Sequence, residues 1–283
     1  MKTLCIFPHF STESHIPYYV EVYVHELSRF FDEVLIVTND REIDNEKVFD
    51  PAQIKILKVK NQGYDFGKFY KGFQHVDISA YGQIACINDS NILFGDLSTI
   101  FNWSKTIKAD MWGLVDAAIR PSYATHADCY HLQSHFLVFN KAAIDLLPTF
   151  FSTLDLEAIF HGNDIKAIKR RVINDWEIGL SQFMLSKGLR LNAFIDHQNF
   201  TENNQKPVNA NILLTLYPEV IAAGIPLLKK KVITSVKWRD LTAGKHTWQR
   251  LIKRYGSKNL DIKKLVKELK SIRNQHFKNR LFK

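Results

Sequence analysis

An acidic side chain follows directly on an apolar run in the segment Asn88-Asp89-Ser90. The run 83–88 predicts a buried strand, so Asp89 would lie at the carboxyl end of that strand. Divalent cations such as Mg²⁺ and Mn²⁺ prefer oxygen ligands, and Asp89 could hold one against a diphosphate. Asn, Asp and Ser also favour turns, and on spacing alone an ordinary strand-ending turn is the better interpretation.

Two further acidic residues stand where predicted helices begin. Asp65 ends the segment 61–65, and it could cap the following helix or hold a ribose or sugar hydroxyl. Glu177 stands three residues after Asn174, which makes an approximate capping box. The alternative for Glu177 is a general base that takes a proton from an acceptor hydroxyl.

Potential metal ligands are dense between residues 126 and 135. They are His126, Asp128, Cys129, His131 and His135. Their spacing matches no familiar zinc site. His131, Gln133 and His135 alternate on one face of a predicted strand, so we expect a polar strand face that lines a pocket.

Strands and helices alternate from the start of the chain. Apolar runs predict strands at 3–8, 33–38, 54–59, 83–88, 111–115, 131–139 and 191–195. A helical period predicts helices at 17–31, 65–73, 141–150 and 174–187. This alternation predicts an α/β domain over residues 1–240, in which helices flank a mainly parallel sheet. Ligands of such sheets bind beyond the carboxyl ends of the strands, which makes His9 and Asp40 candidates.

Several common sites are excluded. The chain has no Gly-x-Gly-x-x-Gly after its first strand, no Gly-Lys-Ser/Thr and no Gly-x-Ser-x-Gly. A dinucleotide fingerprint, a P-loop and a hydrolase nucleophile elbow are therefore absent. A hydrophobic content of 46% over 283 residues excludes a disordered chain.

The net charge of +9 is unevenly distributed. Residues 227–283 hold 18 Lys/Arg and 3 Asp/Glu, a net charge of +15, whereas the first 226 residues carry a net charge of −6. The segment 241–283 predicts a basic tail with an amphipathic helix, since Ile262 to Ile272 follow helical spacing among lysines. Such a helix could lie on an anionic membrane surface or pack on the body of the protein, and both alternatives stay open.

Six segments match, in order, the pattern of one known family. They are Asn61-x-Gly-Tyr-Asp65, Asn88-Asp-Ser90, Asp110-x-Trp-Gly113, His131-Leu-Gln-Ser-x-Phe-Leu-Val-Phe139, Glu177-x-Gly-Leu-Ser181 and Gly224-Ile-Pro-Leu-Leu-Lys-Lys-Lys231. The chain thus resembles the rhamnan synthesis protein F family of glycosyltransferases, which build bacterial cell-surface polysaccharides such as O-antigen or capsule.

The resemblance implies a fold of the glycosyltransferase-A type, with a nucleotide-sugar bound at the strand ends. In that fold an Asp-x-Asp motif usually ligates a divalent metal, and the corresponding place here keeps one carboxylate, Asp89. Asp89 could therefore hold a Mn²⁺ or Mg²⁺ cofactor, with His135 or His197 as a further ligand, but the resemblance does not make a metal a requirement.

The resemblance also assigns roles to residues. Glu177 falls where this fold often places the base of an inverting transfer, and Asp89 would act on the departing diphosphate. The expected nucleotide-sugar contacts are His9, Asp40, Asn61, Asp65, Asn88, Ser90 and Lys230. The expected acceptor or pocket-lining residues are Trp112, His131, Gln133 and His135.

The resemblance implies a nucleoside-diphosphate sugar donor and a glycan acceptor carried on a lipid. The family name suggests dTDP-rhamnose, and a UDP-sugar such as UDP-galactofuranose stays open. We expect a cytoplasmic protein at the inner face of the cell membrane, with no apolar run long enough to span it. The alternatives are a catalytically silent scaffold and a nucleic-acid-binding protein, although the acidic body makes nucleic acid an unexpected partner.

Overall fold

The computed structural model describes residues 1–234 and 247–281. The first half of the chain contains β1 (Lys2–His9), α1 (Tyr18–Leu27), β2 (Glu33–Asn39), β3 (Ile54–Val59), α2 (Tyr64–His75), β4 (Tyr81–Ile87), β5 (Asn91–Leu93), α3 (Ser98–Ser104), β6 (Met111–Ala117), β7 (His131–Leu132) and β8 (Phe136–Asn140). The second half contains α4 (Lys141–Ser152), α5 (Leu156–Phe160), α6 (Ile165–Arg171), a π-helix (Val172–Ile178), α7 (Gly179–Ser186), β9 (Leu191–Ile195), α8 (His197–Asn203), α9 (Ile212–Thr215), α10 (Tyr217–Ala222), β10 (Leu227–Lys229), α11 (Lys230–Thr234), α12 (Thr247–Tyr255) and α13 (Ile262–Leu281).

The central sheet has eight strands. Their order is β3-β2-β1-β4-β8-β6-β7, and β9 pairs with β6. Strands β1 to β4 pair in parallel, whereas β8 runs antiparallel to both β4 and β6. A separate antiparallel pair joins β5 to β10. The expected α/β class, with a mainly parallel sheet flanked by helices, is confirmed.

Apolar side chains cover both faces of the sheet. In β1, Cys5 and Phe7 point into one core cluster, and Leu4 and Ile6 into the other. Helices α1 and α3 pack on the first face, and α2, α4 and α7 pack on the second. Burial on both faces explains why β1 and β2 are nearly continuous apolar runs, whereas the edge strand β3 includes two lysines.

The predicted strand 131–139 is interrupted. Leu132 pairs with Asp116, and Leu137 pairs with Gly113. The five residue steps from Leu132 to Leu137 are therefore matched by three steps along β6. The extra residues form a bulge between β7 and β8. Bulges redirect side chains near active sites, and this bulge carries Ser134 and His135.

The predicted helix start at Asn174 is wrong. Helix α6 continues through the π-helix Val172–Ile178 into α7, so Asn174 lies inside a continuous helical segment. Its side chain is bonded to Thr125 instead of capping a helix. The approximate capping box with Glu177 therefore does not form, and a π-helix often marks a functional site.

The tail helices pack on the first face of the sheet. Trp248 and Ile252 of α12, and Leu265 and Leu269 of α13, are buried in the same cluster as α1. The alternative in which the tail packs on the body is the one observed. Leu265 and Leu269, at the centre of the predicted apolar face, are therefore covered by protein.

A carboxylate of α13 caps the N-terminus of α1. The preceding residue, Pro17, has no side-chain oxygen, and the backbone N–H groups of Tyr18 and Tyr19 instead donate to Glu268 at 2.8 and 2.9 Å. The boundary expected at residue 240 lies outside the described residues. Among the described residues, none of the helices combines the length and the apolar character that crossing a bilayer requires.

Candidate functional site

The carboxyl ends of β1 and β4 bring His9 and Asp89 together. These strands are neighbours in the sheet, and Nδ1 of His9 lies 2.7 Å from Oδ2 of Asp89. Nζ of Lys230 donates to the same oxygen at 2.7 Å, and the hydroxyl of Tyr19 is 3.4 Å from it. We call these four residues the Asp89 group.

The backbone around Lys230 explains its position. Strand β10 pairs with β5, so that Lys229 lies opposite Asn91. The next backbone N–H, that of Lys230, donates to the carbonyl oxygen of Ser90 at 2.9 Å. The side chain of Lys230 then lies over the ring of Tyr19, with Nζ 4.7 Å from the ring centroid.

The Asp89 carboxylate is largely buried within this group. The side chain of His9 is 1% exposed, that of Asp89 12% and that of Lys230 32%. Burial alone would raise the pKa of Asp89, but Lys230 and His9 more than offset this effect and hold the pKa well below its usual range. Asp89 is therefore ionised at neutral pH and fixed in place by its contacts with His9 and Lys230.

A second carboxylate lies beside the first. Nδ2 of Asn88 donates to Oδ2 of Asp65 at 2.9 Å, and the hydroxyl of Ser90 donates to Oδ1 of Asn88 at 2.6 Å. Burial first, and then the charge of Asp89, raise the pKa of Asp65 to about 6. Gly63 is the N-cap residue of α2, so the expectation that Asp65 caps this helix is wrong.

Lys68 is a site residue that the sequence analysis missed. It is 2% exposed, and its Nζ donates to Oδ1 of Asn61 at 2.6 Å. Burial lowers the pKa of Lys68, while Asp65 and Asp89 act in the opposite direction. Its position three residues after Asp65, on the same side of α2, is the one sequence signal that pointed to it.

Glu177 lies in the π-helix, against the bulge between β7 and β8. Its Oε1 accepts hydrogen bonds from the backbone N–H and the hydroxyl of Ser134, both at 3.1 Å. Burial lowers the pKa of Lys229, and Glu177 opposes this shift, so the two charges are near each other. The bulge and the π-helix thus hold one carboxylate oxygen of Glu177 in a fixed place.

The Glu177 region borders the Asp89 group. The backbone N–H of Asn88 donates to the carbonyl of His135 at 3.2 Å, and Lys229 precedes Lys230 in the chain. His135 is buried, and its Nε2 has no hydrogen-bond partner among the described residues. Burial, followed by the charge of Lys229, lowers the pKa of His135 to about 3, so its imidazole is neutral.

The sequence model of rhamnan synthesis protein F matches residues 34–279. The chain belongs to this family. A curated relative is virulence protein VirA of Vibrio anguillarum, 28% identical over 141 residues that cover 47% of this chain and 40% of that protein. The match thus spans about two fifths of the length of this relative.

Solved structures with a similar backbone trace include two glycosyltransferases. Galactosyltransferase LgtC, in complex with donor and acceptor sugar analogues, is 11% identical, with 89% of this chain and 96% of that chain covered and a TM-score of 0.43. Glycosyltransferase GlyE of Streptococcus pneumoniae TIGR4 is 14% identical, with 99% and 64% covered and a TM-score of 0.40.

Some expected site residues of this rhamnan synthesis protein F chain lie elsewhere. Trp112 is 1% exposed and packs against Phe101 in the core, so it does not line an open pocket. His131 is buried, with Nδ1 bonded to the carbonyl of Cys129. Gln133 is half-buried against the backbone of β6. Asp40 lies, as expected, just after the carboxyl end of β2, where it is exposed.

Proposed function

We propose that this chain is a nucleotide-sugar-dependent glycosyltransferase that extends a bacterial cell-surface polysaccharide. The observation that carries the proposal is the Asp89 group at the strand ends, next to Glu177. Buried cations around a fixed carboxylate suit a diphosphate, and a second carboxylate nearby suits proton removal. Membership of the rhamnan synthesis protein F family supports the same activity.

The reaction is an inverting displacement. The acceptor hydroxyl oxygen forms a bond to the anomeric carbon, and the bond from that carbon to the diphosphate oxygen breaks with its electron pair on the oxygen. Glu177 takes the hydroxyl proton. Ser134 holds Oε1 of Glu177 with two hydrogen bonds, which directs Oε2 to the proton. Lys230 offsets the charge of the departing diphosphate.

The donor binds along the strand ends, with His9, Asn61, Asp65, Asn88, Ser90 and Lys230 as its contacts. The family name favours dTDP-rhamnose as the donor, with UDP-galactofuranose as the competing outcome. A panel of dTDP- and UDP-sugars, assayed for hydrolysis and for transfer to a lipid-linked acceptor, tests this proposal. Turnover by the wild type and its loss in Glu177→Gln are expected. A wild type that turns over none of these donors would refute the activity.

The acceptor is carried at the cytoplasmic membrane face. A groove of about 500 Å³ lies between α12 and α13, with Ile262 and Val266 among its lining residues. Its other lining residues are lysines: Lys253, Lys263, Lys267 and Lys270. Their charge supports attachment to anionic lipid headgroups, without insertion of the helix.

A further inference from the structure

The carboxylate that a divalent metal would use already has two side-chain partners, one of them a lysine. Among residues 88–91, Asp89 is the one acidic residue, and its Oδ2 contacts His9 and Lys230, each at 2.7 Å. A metal ion on this oxygen would lie next to the Lys230 ammonium group. Two cations this close repel each other strongly in a site with little water.

The other donors near Asp89 fit a metal poorly. Asp65 has a pKa raised to about 6, so it holds its proton part of the time near neutral pH, and its Oδ2 is bonded to Asn88. Nε2 of His197 is bonded to the carbonyl of Ala210.

Lysine side chains lie near Asp89 instead. The charge of Lys230 acts to lower the pKa of both Asp89 and Asp65, and Lys68 is buried beside them. An ammonium group has three N–H donors, and Asp89 takes one from Lys230. The other two can donate to phosphate oxygens, while the hydrogen bond to Asp89 fixes the direction in which the lysine points.

We infer that Lys230, anchored by Asp89, takes the role of the divalent cation and holds the donor diphosphate, so that binding needs no metal. This inference rests on the proposed function. Lys68 adds a second lysine beside the same carboxylates, and His9 contacts Asp89 from the end of β1. Lys230 supplies charge and hydrogen bonds to the leaving diphosphate.

Calorimetry on the full chain tests the inference. We expect dTDP or UDP to bind in EDTA with a dissociation constant within about threefold of that in Mn²⁺. Inorganic pyrophosphate should bind under both conditions, because the cations recognise the diphosphate. Nucleotide binding in Mn²⁺ alone would overturn the inference and keep the proposed function. Failure of both nucleotides and pyrophosphate to bind under either condition would overturn both.

Variants of Lys230 give a second measurement. Lys230→Met should weaken nucleotide binding in EDTA about 10- to 100-fold, and Lys230→Arg should recover part of it. Lys105→Met, at an exposed lysine after α3, removes the same charge and should bind as the wild type does. Thermal melting verifies that each variant is folded. Wild-type affinity in a folded Lys230→Met protein would contradict the inference.

Discussion

The side-chain amide of Asn88 donates a hydrogen bond to Oδ2 of Asp65 at 2.9 Å, across 23 residues of chain. This bond joins the end of β4 to the first turn of α2 and holds a second carboxylate beside Asp89. Burial raises the pKa of Asp65 to about 6. The site therefore contains one carboxylate that stays ionised and one that titrates near neutral pH.

Asp65 should make the protein less stable as the pH rises. Its folded pKa of about 6 is above the ordinary value of 3.8, so its contribution is complete below pH 3.8 and is lost as the pH passes 6. Relative to Asp65→Asn, the wild type should lose roughly 1.4 kcal/mol of unfolding free energy per unit of pKa shift. Urea unfolding from pH 4 to pH 8 measures this. Glu13→Gln, at an exposed position, is the control, and a pH-independent difference for Asp65→Asn would contradict the assignment.

Glu177→Gln should lower turnover about 10²- to 10⁴-fold, because the amide cannot accept the acceptor proton. Donor affinity should change little, since Glu177 lies outside the Asp89 group. Steady-state kinetics and nucleotide calorimetry separate the two effects. Asp175→Asn removes a charge two residues away, where the side chain faces Asn174, and should keep its turnover. Normal turnover in Glu177→Gln would assign the base elsewhere.

Asp89→Asn should remove most turnover and also reduce stability. The substitution leaves His9 and Lys230 without their shared anion, which should lower the unfolding free energy by about 1–3 kcal/mol at pH 7. Because the folded pKa of Asp89 is depressed, its stabilisation is present above about pH 4 and is lost as the pH falls further. Chemical unfolding at pH 7 and pH 3 compares the two proteins.

The double variant Asp89→Asn with Lys230→Met provides the control for this effect. It removes the anion and one cation together, so it should lose less stability than the two single variants combined. Strict additivity would mean that the 2.7 Å contact between Asp89 and Lys230 contributes no coupling energy.

Reversing three lysines of the groove, Lys263, Lys267 and Lys270, to Glu should abolish binding to anionic vesicles. Each lysine near such a surface contributes roughly 1 kcal/mol, so the loss of three lowers partitioning at least about 100-fold. Flotation with phosphatidylglycerol vesicles measures this, and binding should fade in 1 M salt, where the screening length is about 3 Å.

Reversal of Lys105, Lys108 and Lys187, which are exposed elsewhere, is the matched control for flotation. Deletion of the tail is a poor test, because it would remove the core residues Trp248, Ile252 and Leu265. Equal flotation of the groove variant and the wild type would show that the groove is not the membrane contact.

Local patterns predicted the strands of the central sheet and the helices α1, α2 and α4, because apolar periodicity depends on neighbours in the chain. The short pair β5 and β10, which positions Lys230, was not predicted. The break after Leu132 escaped prediction, since a bulge depends on the register against β6. The expected helix start at Asn174 failed because capping residues also occur inside helices when a tertiary contact, here Thr125, takes the side chain.

The site was predicted in part. Asp89, His9 and Lys230 were each identified as candidates, but their shared contact joins positions 80 and 141 residues apart, and no local pattern encodes such distances. Trp112 was misplaced because the sequence marks it as part of a motif, whereas its burial depends on the packing of α3 against the sheet. Lys68 was missed because a lysine on a helix is usually exposed.

The carboxylate of Glu268, which caps α1, lies 249 residues beyond Tyr19. The ribosome therefore makes α1 early and adds Glu268, the residue that caps it, long afterwards. In the interval, the backbone N–H groups at the start of α1 have water as their hydrogen-bond partner. Tyr19, whose ring lies beneath Lys230, thus gains this hydrogen-bond partner only after residue 268 has been made. A chain interrupted before Glu268 would carry a nearly complete sheet and an unfinished donor site.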